Sequence, residues 1–224
     1  DCQLLGKGTV KFVYQHPEKP EWVIKIIRPE LVAEDGGFAK HGRFKRSFAQ
    51  GIYRQFRREI IQYLELSKKS YQQPGKMFPM ETPYGLIPTS QGLGLVTEKI
   101  LGPDGNPQTL EDLAKSGALQ PAHFEALNRF FDECVALHLV FGEVNDAGLM
   151  YTEARTGQPE FVLVDGIGEK LLIPARSWFH SVNARYIRKV QQRIMAQVAR
   201  YTQAREAALQ ATGTKASNPS PENA

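Results

Sequence analysis

Apolar and polar positions follow a strand pattern at the start of the chain and a helical one later. From Leu4 to Ile27 the pattern is of strands. Gly6 and Gly8 precede KFVY, a turn falls around His16 to Pro20, and WVIKII follows as a buried run rich in β-branched and aromatic residues. Gly36 to Gly42 reads as a loop. From about Phe44 to Lys69 the pattern becomes helical, with Phe48, Ile52, Phe56, Ile60 and Leu64 recurring every four residues as one apolar face. Tyr71 to Pro83, broken by prolines and glycines, reads as a loop. Leu93 to Ile100 reads as a strand and GPDGNP after it as a turn.

The second half is mostly helical. T-L-E-D from Thr109 has the form of a capping box opening a short helix to about Lys115. Pro121 suits the first turn of the next helix. Phe124, Leu127, Phe131, Cys134, Val135 and His138 supply that helix with an apolar face. Phe161 to Val164 predicts a short strand, followed by Asp165-Gly166 and a second strand to Ile173. Residues 178 to 208 predict a long basic helix or helix pair with Tyr186, Val190, Ile194, Val198 and Tyr201 inward. The polar tail beyond about Ala211 has no large apolar residues and is expected to be disordered.

Strands with one helix, then helices with a hairpin, make an α+β pattern in two lobes. A small β-rich N-lobe is expected over 1–101 and a mainly helical C-lobe with a short β-hairpin over 102–210, leaving 211–224 as the tail. The boundary falls near Gly102 to Pro107.

Composition adds little. The chain has 224 residues, 42% hydrophobic and 23% charged, ordinary values for a globular protein able to bury its own core. Its net charge of +4 is mild. Two cysteines, Cys2 and Cys134, suggest no disulfide framework, which fits the cytoplasm. No apolar run approaches the roughly 18 residues of a bilayer span. No secretory leader pattern opens the chain, and the start at Asp1 rather than Met leaves room for a removed segment.

Four features could carry chemistry, and each has a plainer reading. Gly6 and Gly8 either form a hairpin tip or let the backbone approach phosphates. Lys25, inside V-I-K-I-I, either snorkels from an edge strand or is held for phosphate oxygens beside a carboxylate. Glu59 is the candidate carboxylate, or else a surface glutamate paired locally with an arginine. Asp165 is either half of an Asp-Gly hairpin turn or a metal-binding carboxylate at a strand end. Their order along the chain, glycine loop, strand lysine, helix glutamate and strand-end Asp-Gly, is the order of the protein-kinase fold. Between residues 40 and 58 stand seven basic residues without an acid: Lys40, Arg43, Lys45, Arg46, Arg54, Arg57 and Arg58.

The runs GKGTVKFVYQHPEKPEWVIKI, RREIIQYLEL and FVLVDGIGEKLLIP resemble the YrbL family, the PhoP regulatory network protein family, which is similar to protein kinases in its motifs. The resemblance implies a two-lobed protein-kinase-like fold that binds ATP with Mg. It makes Gly6, Gly8 and Val13 the nucleotide lid, Lys25 the phosphate-contacting lysine and Glu59 its partner. It makes Thr97 to Ile100, with Glu98, the hinge that meets the adenine, and Asp165 the magnesium ligand. In F-G-E-V-N-D-A-G-L-M, Glu143 stands where a kinase has its Asp base and Gly148 where it has a metal-binding Asn. Asn145 or Asp146 would have to substitute. Loss of a positioned base typically costs about 10²- to 10⁴-fold in rate.

Three function classes follow. The first is a kinase-like, nucleotide-binding regulator with weak or no phosphotransfer. The second is an active atypical kinase on a small molecule or glycan, with Glu143 or Asp146 as base. The third is a binding module whose basic stretch 40–58 meets a phosphate-bearing or acidic partner.

Overall fold

The computed structural model describes residues 2–40, 51–168 and 175–216. Strands β1 (Leu4–Lys7), β2 (Lys11–Gln15), β3 (Trp22–Ile27), β4 (Pro83–Thr89) and β5 (Gly92–Glu98) form one antiparallel sheet in the order β1-β2-β3-β5-β4. Helix α1 (Arg54–Lys69) packs on one face. Beyond the sheet lie α2 (Leu110–Ser116), α3 (Pro121–Ala136), the strand pair β6 (Leu149–Thr152) and β7 (Glu160–Leu163), α4 (Ala175–Trp178) and α5 (His180–Ala216). This is a mixed α+β chain. No helix among the described residues is long and apolar enough to cross a membrane.

Strand periodicity sorts the sheet side chains into two sets. Ile27 and Leu95 join Ile52 and Phe56 under α1, while Ile24, Ile26 and Val96 cluster on the opposite face. The largest core gathers α2, α3, the β6–β7 pair and α5, including Phe131, Phe141, Phe161 and Val190. Helix α1 serves both sides of the molecule: Phe56 lies in the sheet core and Leu66, fully buried, in the helical core.

Several predicted elements form as expected. Thr109 caps α2 through a reciprocal pair with Asp112, and Pro121 sits in the first turn of α3. Val190, Ile194 and Val198 face inward from α5, which continues past residue 211 to Ala216. Both cysteines are free thiols.

Four expectations are corrected. The helix over 44–69 begins, among the described residues, with a 3-10 turn Gly51–Tyr53 and becomes α-helical at Arg54; positions 41–50, including Phe48, Arg43, Lys45 and Arg46, lie outside the described residues. Its buried face is Phe56, Glu59, Gln62 and Leu66, and Leu64 is 61% exposed. A strict four-residue repeat drifts by about 40° per step on a helix of 3.6 residues per turn, so three steps from Ile52 bring Leu64 round to solvent. Strand β4 was hidden by Pro83 and Pro88, which a sheet tolerates because β4 is an edge strand. Helix α3 ends at Ala136, and His138, with φ +56°, turns the chain instead of extending the helix face. Finally, β7 pairs with β6, not with a strand after Asp165-Gly166; beyond that turn Ile167 bridges to Phe141, and 169–174 lie outside the described residues.

The corrected face of α1 makes a direct prediction. Leu66→Ala is expected to destabilise the fold by about 2–5 kcal/mol, and Leu64→Ala by less than about 0.5 kcal/mol. Denaturant unfolding of the two variants checks this.

Candidate functional site

A cleft of about 360 Å³ opens between the sheet and the β6–β7 side of the molecule. That volume falls in the range of small-molecule sites, about 300–1,000 Å³. Gly6 and Gly8 of the first hairpin line it, with Val13 and Val23 from β2 and β3. Ile100, Met150 and Val164 add apolar surface, and Lys11, Lys25, Glu81 and Asp165 add charge. The hairpin tip is tight, with the Gly8 N–H donating to the Lys11 carbonyl at 2.9 Å.

The charges have a definite pairing. Residues 11 and 13 of β2 and 23 and 25 of β3 alternate onto one face, and Val13 lies opposite Lys25. From that face Lys25 donates to Glu81 and, at 2.7 Å, to the Val164 carbonyl. Lys11 donates to Glu59 Oε1 of α1 at 2.7 Å and meets Asp165 Oδ1 at 3.1 Å. The expected Lys25–Glu59 pair is therefore not formed. Register explains the exchange: Lys25 sits in the middle of the sheet over the stretch before β4, while Lys11, opposite Ile27, stands over α1. Glu59 Oε2 is buried and has no hydrogen-bond partner among the described residues.

Burial sets the electrostatics. It would lower the pKa of Lys11, yet Glu59 and Asp165 outweigh it and hold the ammonium above its ordinary value. Burial pushes the Glu81 carboxyl up to about 7, against the opposing pull of Lys25. Asp165 is partly desolvated, but Lys11 and Lys25 hold its carboxyl below the usual range. Its side chain remains 64% exposed.

Asp165-Gly166 makes the turn at the cleft end. Gly166 has φ +83°, and a Cβ there would come within 2.5 Å of the Glu143 carbonyl oxygen, so only glycine fits. Gly148 packs against Asp165, where a Cβ would lie 3.3 Å from the Asp165 carbonyl.

Glu98 lines the cleft, but its carboxylate is occupied, accepting from the Thr82 N–H at 2.7 Å and pairing with Arg155 at 3.0 Å. Neither Glu143 nor Asp146 lines the cleft. Glu143 is exposed. Asp146 begins the 3-10 turn Asp146–Gly148, and its Oδ2 is buried without a hydrogen-bond partner among the described residues. Asn145 is spent locally, accepting from the Gly148 N–H. A second cavity, about 450 Å³, adjoins the first at Thr9 and Val10 and is edged by Lys40, Arg54 and Arg58.

Sequence reasoning missed Lys11 and Glu81. Two signals mark them. Lys11 shares strand parity with Val13, which was already placed in the lid, and Glu81 is a lone acid within the apolar F-P-M-E-T-P.

The Lys25–Glu81 pair generates a pH-dependent prediction. The folded pKa of Glu81 is raised above the roughly 4.3 of a free Glu, so the folded state holds the extra proton and this site's contribution to stability falls as pH rises from about 4 to 7. Lys25→Met strands the carboxylate and is expected to cost about 3–5 kcal/mol at neutral to alkaline pH. The loss should shrink at about pH 6, where Glu81 is protonated, and thermal melts at about pH 6 and pH 8 measure it. An equal loss at both would contradict the assignment.

No curated protein matches the chain. The family model of the PhoP regulatory network protein YrbL matches residues 1–199, and the chain belongs to that family.

Proposed function

We propose that the cleft binds a nucleotide in a two-lobed, protein-kinase-like arrangement, and that the chain is a regulatory nucleotide-binding protein with weak or no phosphotransfer. One observation carries this reading: two buried lysines and Asp165 meet at one end of a cleft whose other walls are mainly apolar and whose lid is a glycine hairpin. Apolar surface from Val13, Val23, Ile100 and Met150 suits a flat base, and the cationic end suits phosphates. Family membership is compatible with a regulatory role. A cytoplasmic setting fits the free thiols.

Magnesium fits this site in one way. Among the described residues no group of three or more His, Cys, Asp or Glu side chains is placed to hold a metal ion. Asp165 is a single, largely exposed carboxylate, and that donor set suits an ion arriving on the phosphates, as magnesium commonly does. Such an ion would neutralise phosphate charge. The protein's own residues would cradle the base, hold the phosphates and exclude water beneath the hairpin.

Weak or absent transfer follows from what faces the cleft. A general base must come within hydrogen-bond reach of the proton it takes. Glu143 and Asp146 stand outside the lining, and Gly148 offers no side chain. Lys40, Arg54 and Arg58 around the adjoining cavity would be the place where a phosphate-bearing or acidic partner meets the basic stretch.

ATP with magnesium at about 100 times its dissociation constant is expected to stabilise the fold by about 2.7 kcal/mol. For a chain of this length that is a rise of roughly 5–10 °C in melting temperature. Asp165→Ala should remove the magnesium-dependent part of the rise. No shift with any nucleotide at millimolar concentration would sink the proposal, and rapid ATP turnover abolished by Asp165→Ala would replace it with the active-kinase reading.

A further inference from the structure

The two cleft lysines differ in what holds them. Lys25 Nζ is spent on Glu81, which is buried, and on the main-chain carbonyl of Val164. Releasing Glu81 would leave a buried carboxylate without its donor, which is costly. Lys11 Nζ is shared between Glu59, buried on α1, and Asp165, whose side chain is 64% exposed. The second of those partners faces solvent and can turn to water or to a cation, giving up the Gly166 N–H that its Oδ1 also accepts. Lys11 also lies at the foot of the glycine hairpin, one turn from Gly8.

On the nucleotide-binding reading, we propose that Lys11, not Lys25, is the side chain that contacts the phosphates. Lys25 is a positioning residue that ties the sheet to Glu81 and to the strand end before Asp165. An incoming phosphate takes the place of the Asp165 carboxylate on Lys11, and Glu59 keeps the ammonium charged and aimed. Asp165 is released toward solvent or toward an ion on the phosphates. The Oε2 of Glu59, without a hydrogen-bond partner among the described residues, fits this picture, because the carboxylate retains capacity to hold Lys11 as the ammonium shifts toward a ligand.

The test compares ADP with adenosine, with magnesium present, by titration calorimetry. Paired variants are used because removing both members of a buried ion pair leaves no stranded charge, and circular dichroism checks that each is folded. The wild-type protein should bind ADP at least about tenfold more tightly than adenosine, the range expected of a hydrogen bond to a charged group. Lys11→Met with Glu59→Gln should bring that ratio close to one while leaving adenosine affinity in place. Lys25→Met with Glu81→Gln should keep the ratio. Loss of the ratio in the Lys25 double variant and its survival in the Lys11 double variant would overturn the assignment while leaving a nucleotide site standing. Binding of neither ligand by the wild-type protein would remove the nucleotide reading and this inference together.

Discussion

A lysine ammonium taken out of water is tolerated only against a carboxylate, and a carboxylate taken out of water is tolerated only against a cation. Among the described residues two lysines and two carboxylates are buried as pairs, Lys11 with Glu59 and Lys25 with Glu81, and Asp165 joins them at the rim. The pairs join elements far apart in sequence. Lys11 connects the glycine hairpin to α1 and to the turn after β7, and Lys25 connects the middle of the sheet to the segment before β4 and to Val164. Glu98 and Arg155 add a third link at the other edge of the cleft. Two hydrophobic cores are held in register by these contacts and by α1, which contributes to both.

Much of the frame is legible in the sequence because local rules decide it. WVIKII is a strand by composition and is buried on both faces in the structure. Thr109 and Pro121 start helices where capping and proline geometry say they should. Gly6, Gly8, Val13, Lys25, Glu98 and Asp165 all come to one cleft, although they span more than half the chain.

What the sequence does not show is pairing, which is a long-range property. A lysine in a strand announces that it needs a carboxylate, not which one. Strand register and helix phase choose, and here they give Glu59 to Lys11 and Glu81 to Lys25. Edge-strand prolines concealed β4, and the four-residue spacing on α1 concealed the drift that turns Leu64 outward and Glu59 inward. Glu143 and Asp146 were legible as residue types, but their absence from the cleft wall depends on the course of a loop that periodicity does not describe.

The most direct measurement is a crystal structure of the chain with ADP and magnesium. The account predicts the base between Val13, Val23 and Met150, with a phosphate oxygen within hydrogen-bond distance of Lys11 Nζ and Lys25 still on Glu81. A cleft closed by side chains, or ADP bound elsewhere on the molecule, would contradict it.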